Sequence, residues 1–130
     1  MKRRTAREKA LQALFQIDIS KAGSHEAIAH VLEGQEHDRY LTQLVEGTLR
    51  HQDEIDEIIT AHLEKWTIDR LAHVDRSLLR LAVYELKYGG DEVPANVVLD
   101  EAIEIAKIYG DDQSSRFING VLSKIKHSLL

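Results

Sequence analysis

The sequence predicts an all-α fold, a compact bundle of about seven helices, on three observations. Apolar residues recur at spacings of three and four along nearly the whole chain. One proline and seven glycines in 130 residues are too few breakers for the turns of an all-β fold. The short segments between apolar stripes carry residues that start and stop helices. With 43% hydrophobic and 30% charged residues, the chain reads as one folded domain over residues 1–130, not a disordered tail.

The elements follow in order. Thr5-x-x-Glu8 has capping-box spacing, so the first helix is expected to begin near residue 5. Ala6, Ala10, Leu11, Ala13, Leu14, Phe15 and Ile17 then form its stripe. Ser24 is the expected N-cap of a short second helix that carries Ala27, Ile28, Val31 and Leu32 and ends at Gly34. A third helix follows Asp38, with Tyr40, Leu41, Leu44, Val45, Thr48 and Leu49. A fourth follows Asp53, with Ile55, Ile58, Ile59, Leu63 and Trp66. Residues 71–88 carry two stripes, one through Leu71, Val74, Leu78, Leu81 and Ala82, the other through Leu79, Val83 and Leu86. A helix apolar over so much of its circumference belongs at the centre. Gly89-Gly90 ends it, and Pro94 keeps the next connection extended. Leu99, Ala102, Ile103, Ala106 and Tyr109 make the sixth stripe, closed by Gly110. Phe117, Ile118, Val121, Leu122 and Ile125 make the seventh. Gly47 and Gly120 sit inside stripes, where each costs about 1 kcal/mol relative to alanine. Close helix packing is the expected reason at Gly47, and close approach of a ligand is the alternative at Gly120.

Several chemistries find no support. There are no cysteines, which excludes a disulfide framework, a thiolate metal site and a cysteine nucleophile, and which fits a reducing cytoplasm. His25 and His30 are five residues apart, which leaves their rings about 140° apart on a helix, too far to share a metal. No metal site and no cofactor is expected. Neither a phosphate-binding glycine loop nor a nucleophile elbow occurs, so the chain is read as non-enzymatic. Glu8, Gln12, Gln16 and Asp18 interrupt the first apolar run, so it is not read as a secretion signal.

The charge distribution is more informative. The formal net charge is −5, yet residues 1–9 carry Lys2, Arg3, Arg4, Arg7 and Lys9 against Glu8 alone, a local +4. At the other end Arg116, Lys124 and Lys126 follow the last acidic residue, Asp112. A basic start and finish on an acidic body point to one localised anion-binding face. Arg3, Arg4 and Arg7 are then expected near Arg116 and Lys124. Removing residues 1–7 should weaken anion binding without unfolding the domain.

Three stretches carry a family likeness. Arg3-Arg4-x-Ala6-Arg7-Glu8-x-Ala10-Leu11-Gln12-Ala13-Leu14-Phe15 opens the chain. Val74-Asp75-Arg76-x-x-Leu79-Arg80-Leu81-Ala82-x-Tyr84-Glu85-Leu86 lies in the central helix. Glu101-Ala102-Ile103-Glu104-Ile105-Ala106-Lys107-x-Tyr109-Gly110 and Arg116-Phe117-Ile118-Asn119-Gly120-Val121-Leu122 close it. In this order the chain resembles the bacterial transcription antitermination factor NusB family. The resemblance implies two small helical subdomains packed across one another. It also implies a non-enzymatic adaptor that binds the single-stranded boxA element of ribosomal RNA leaders together with NusE, a small-subunit ribosomal protein. That complex would join RNA polymerase through other Nus factors, in the cytoplasm. Monomer and homodimer both remain open. A helical protein-interaction module without sequence-specific RNA binding is the alternative function.

The expected RNA-binding residues are Lys2, Arg3, Arg4, Arg7, Phe15, Arg116, Phe117, Asn119 and Lys124. Arginine suits phosphate because its guanidinium makes bidentate, charge-assisted bonds. An exposed aromatic stacks on an unpaired base, and an amide reads its edge. Phe15 and Phe117 each have core packing as the competing reading. Asp75, Arg76, Arg80 and Glu85 are charges on an otherwise apolar helix, and Arg76 and Arg80 stand at i,i+4, where like charges repel. They are expected either to meet a protein partner or to pair with acids elsewhere in the fold.

Overall fold

The computed structural model describes residues 1–129, with Asp91 by its backbone alone. Among these residues there are seven α-helices and no strand: α1 (Arg3–Ser20), α2 (Ser24–Leu32), α3 (Arg39–Arg50), α4 (Gln52–Ala61), α5 (His73–Tyr88), α6 (Ala95–Tyr109) and α7 (Ser114–Leu129). Short 3-10 turns at Ile68–Arg70 and Gly90–Glu92 flank α5. Helices α1, α2 and α3 pack on one another, and α4, α6 and α7 pack around α5. α1 and α3 also rest on α5, which joins the two groups across one continuous apolar core. This is the arrangement of two crossed helical subdomains that the resemblance implied. No helix among the described residues is long and apolar enough to cross a membrane.

Helix ends depart from the sequence reading where tertiary contacts outweigh local signals. α1 begins two residues before Thr5, with Lys2 as its cap residue and no side-chain cap. Its first turn therefore holds Arg3 and Arg4 at the positive end of the helix dipole, an unfavourable placement. Glu101 on α6 offsets it by accepting two hydrogen bonds from Arg4, at 3.1 and 2.5 Å. Gly23, not Ser24, occupies the cap position of α2. That helix stops at Leu32, where Glu33 and Gly34 adopt left-handed backbone (φ 51° and 81°). Lys9 Nζ donates to the Val31 carbonyl at 2.9 Å and satisfies one of the helix-end acceptors. Asp38 caps α3 as expected, accepting from the Leu41 N–H at 2.9 Å.

Helices α3 and α4 have no loop between them: His51 is the last cap of one and the first cap of the other. Its ring stacks on Tyr88 of α5 with centroids 4.0 Å apart. The fourth stripe does not continue to Trp66. α4 ends at Ala61, and the His62 Nδ1 donates to the Ile58 carbonyl at 2.7 Å, which closes the last turn. Gly110 does end α6, but in extended backbone (φ −92°, ψ −173°). Glycine serves there because a Cβ would overlap the Ser114 side chain. Gly47 has the packing reason expected of it: a Cβ would overlap the Tyr84 ring. At Gly120 a Cβ would meet nothing within 4 Å.

α5 is central, and every residue from Asp75 to Glu85 is buried. Its charges are mostly neutralised inside the fold, which corrects the premise on which Arg76, Arg80 and Glu85 were assigned to a partner. Arg76 donates to Asp18 Oδ2 from Nη2 (2.6 Å) and Nε (3.1 Å). Arg80 donates to both Asp56 oxygens, at 2.8 and 2.9 Å, and to Asp18 Oδ1 at 3.4 Å. Carboxylates on α1 and α4 thus separate two arginines that would repel as an isolated pair. Glu85 accepts from Arg7 at 2.6 and 3.2 Å and from the Tyr40 hydroxyl at 2.6 Å. Only Asp75 of the four has no salt bridge, and its Oδ1 is buried without a hydrogen-bond partner among the described residues.

Two stability predictions follow from this packing. Gly47→Ala should lower the thermal midpoint, because overpacking against Tyr84 costs about 1–3 kcal/mol and outweighs the gain in helix propensity of about 1 kcal/mol. Gly120→Ala should raise it. Calorimetry of both variants checks the contrast. The second prediction concerns acid. Burial alone would raise the Asp18 carboxyl, but hydrogen bonds from His73 and Arg76 and the charges of Arg76 and Arg80 outweigh it and hold it at about 2. A depressed native value stabilises the fold above the unfolded value and loses that stabilisation as pH falls towards the native one. Wild-type protein should therefore lose on the order of 2 kcal/mol through this group between about pH 5 and 2. Asp18→Asn should be less stable at pH 7 and lack that part of the slope in urea titrations.

Candidate nucleic-acid interface

The N-terminal arm divides into residues that are free and residues that are committed. Lys2 and Arg3 are exposed, and the Arg3 guanidinium lies 4.8 Å from the centre of the Tyr40 ring. Arg4 is exposed but bound to Glu101, so an incoming phosphate must compete with a carboxylate. Arg7 departs from its expected role. It is 4% exposed, and its guanidinium donates to Glu85 and, at 3.5 Å, to Glu101. A phosphate cannot reach it without breaking a buried pair. The same burial corrects the truncation expectation: deleting residues 1–7 strips Glu85 of its cation, so loss of binding would come with loss of the fold. Phe15 is half-buried and meets the His73 ring edge-on, with centroids 6.2 Å apart.

The second group lies on α7. Arg116, Asn119, Gly120 and Lys124 are exposed, and Phe117 is half-buried against the core. Asn119 accepts from Ser123 Oγ at 3.3 Å, which leaves its amide nitrogen open. Arg116, Phe117, Gly120 and Lys124 line a groove of about 240 Å³ whose other wall is the chain after α4, from His62 to Trp66. Lys124 Nζ crosses it to Glu64 at 2.5 Å. Trp66 and Lys65 are the residues the sequence reading missed here. Trp66 continues the spacing of Leu63, so periodicity assigned it to a core stripe. The helix stops first, and Trp66 is 57% exposed. A cation next to the lone tryptophan was the only local signal.

The two basic groups are held by different elements, Arg4 by Glu101 on α6 and Lys124 by Glu64 in the α4–α5 connection. Trp66 and Phe117 also line a second hollow of about 270 Å³ together with Arg70, Asp75, Asp111 and Gln113. Burial, and to a lesser degree the Asp111 charge, push the Asp75 carboxyl upward, while the nearby Ser114 hydroxyl pulls the other way. The hollow therefore presents a carboxyl short of donors beside an aromatic wall. The arrangement offers cations and ring faces to one ligand and a hydrogen-bond acceptor to another.

Comparison with known proteins matches residues 4–127 to the NusB family. The transcription antitermination protein NusB of Bacillus velezensis is 59% identical over 126 residues, 97% of this chain and 96% of that protein. A solved structure of T. maritima NusB superposes with a TM-score of 0.89 at 36% identity, covering 98% of this chain and 92% of that one. A chain from a crystal structure of antitermination factors NusB and NusE in complex with dsRNA superposes with a TM-score of 0.88 at 34% identity, covering 97% and 96%. The chain belongs to the NusB family.

Proposed function

We propose that this protein is a non-enzymatic RNA-binding adaptor of transcription antitermination, which binds boxA-type single-stranded leader RNA together with NusE in the cytoplasm. The observation that carries the reading is the full-length structural likeness to a chain solved with NusE and RNA. Lys2, Arg3 and Arg116 supply exposed charge for phosphates, Lys124 supplies it by exchanging Glu64 for a phosphate, and Phe117 and Asn119 supply a ring and an amide beside them. Arg4 joins them by exchanging Glu101 for a phosphate. Arg7 acts from beneath, by holding α1 and its arm in place. Phe15, edge-on to His73, shapes the same helix.

The test is RNA affinity by fluorescence anisotropy, with and without NusE, for single- and double-stranded boxA-type RNA. Affinity should rise with NusE and fall with salt, with a log–log slope of about −0.7 per phosphate neutralised on a single strand. Arg3→Ala and Arg116→Ala should each make that slope shallower by about one phosphate's share, with an unchanged thermal midpoint. Equal affinity for unrelated RNA, with and without NusE, would instead favour a plain protein-interaction module.

Asp75 is where we place part of the protein interface, because it is the charged residue on α5 that the fold leaves unpaired. A partner donor that enters the hollow and reaches the Asp75 carboxyl would add a hydrogen bond to a charged group, which contributes about 1.5–3 kcal/mol. Asp75→Asn should weaken NusE binding roughly 10-fold or more while leaving the RNA affinity of the isolated protein intact. Isothermal titration with NusE, paired with the anisotropy assay, separates the two. Equal loss in both assays would place Asp75 outside a separate protein site.

A further inference from the structure

We infer that Trp66 is a base-stacking platform: an unpaired base of single-stranded RNA lies on its indole in the groove against α7, with flanking phosphates on Lys65, Arg116 and Lys124. The inference rests on the RNA-binding reading above and extends the RNA site to the α4–α5 connection.

Four observations carry it. Among the described residues Trp66 leaves 57% of its surface in water, more than any other large apolar side chain except Ile108. An indole gains more by burial than most side chains, so its exposure on an ordered element calls for a partner. The connection that presents it is fixed at both ends. His62 Nδ1 holds the Ile58 carbonyl, and Arg76 Nη1 reaches back to the Ile68 and Asp69 carbonyls at 3.3 and 3.5 Å. The backbone on either side of Trp66 is therefore already held before a ligand arrives, which reduces the ordering entropy lost on binding.

The groove is also matched to RNA in charge and shape. Three of its lining residues are cations against a single carboxylate, Glu64, so positive charge predominates even though a phosphate on Lys124 must take it from Glu64. Apolar surface from Leu63, Phe117 and Val121 lies between those charges, as a base ring requires. On the α7 side Gly120 contributes no side chain, and the space over its Cα is open. The cations disfavour a basic protein segment at this spot, whereas stacking with adjacent phosphate contacts satisfies both features together.

Trp66 is the chain's only tryptophan, so the wild-type protein reports on itself. The probe is a boxA-type single-stranded RNA of about 12 nucleotides, with the end-labelled RNA followed by anisotropy and Trp66 emission followed in parallel. NusE emission is removed by subtracting the same titration with Trp66→Phe. Stacking should quench Trp66 along the same saturation curve as anisotropy. Trp66→Ala should weaken binding about 5- to 150-fold with an unchanged melting midpoint, and Trp66→Phe should retain most of the affinity. RNA that binds by anisotropy without quenching, and with full affinity for Trp66→Ala, would overturn the stacking role and leave the RNA-binding reading standing. Equal quenching by inorganic polyphosphate would reduce the groove to a charge site and overturn it too. Quenching by NusE in the absence of RNA would assign the groove to the protein partner, again against the inference. No RNA binding at all by wild-type protein with NusE would remove the reading on which it rests.

Discussion

The buried ion pair between Arg7 and Glu85 is the constraint on which the remaining structure depends. A guanidinium and a carboxylate have been taken out of water at the contact of α1 with α5, with side chains 5% and 3% exposed. Neither charge is tolerable there alone: removing one partner from such a pair costs about 3–5 kcal/mol, because the other stays buried. Tyr40 from α3 and Glu101 from α6 complete the set, so four helices meet at one polar cluster. An apolar core would hold these helices together but would tolerate sliding. The directional bonds of the cluster fix their register, and with it the placement of the basic arm one turn earlier on α1.

A second polar cluster works in the same way on the neighbouring stretch of α5. Asp18 near the end of α1 pairs with both Arg76 and Arg80, and Asp56 on α4 pairs with Arg80. Arg76 also holds the backbone that follows Trp66. The central helix thus holds two of the elements that carry proposed RNA contacts, the N-terminal arm through the Arg7–Glu85 pair and the α4–α5 connection through Arg76. Buried charge is used here for placement, and the surface left over is the part that can meet a ligand.

The helices were legible in the sequence because their apolar periodicity is strong and their breakers are few. Asp38 announced the start of α3, and Gly47 announced a tight crossing. What could not be read was which charges would find each other. Arg7 and Arg3 look alike in a basic run, yet Glu85, 78 positions away, takes the first and leaves the second in water. Arg76 and Arg80 look unneutralised for the same reason: Asp18 and Asp56 are distant in the chain. Trp66 was misread because period alone does not say where a helix stops. Its role depends on the turn at His62, a local event that outranks spacing.

The direct passage from α3 into α4 at His51 has a consequence for how this architecture can vary. A connection with no spare residue has no slack. One residue inserted there would rotate α4 by about 100° about its axis and advance it by about 1.5 Å. Ile55 and Ile59, now fully enclosed, would swing towards solvent, and Asp56 would leave Arg80. The stretch from Glu33 to Asp38 and the stretch from His62 to Thr67 can absorb changes in length, because the chain there is already irregular. Room for a change of length in this architecture therefore lies in those two stretches, one of which carries Trp66. The rigid elbow at His51 leaves the slack of the chain beside the groove against α7.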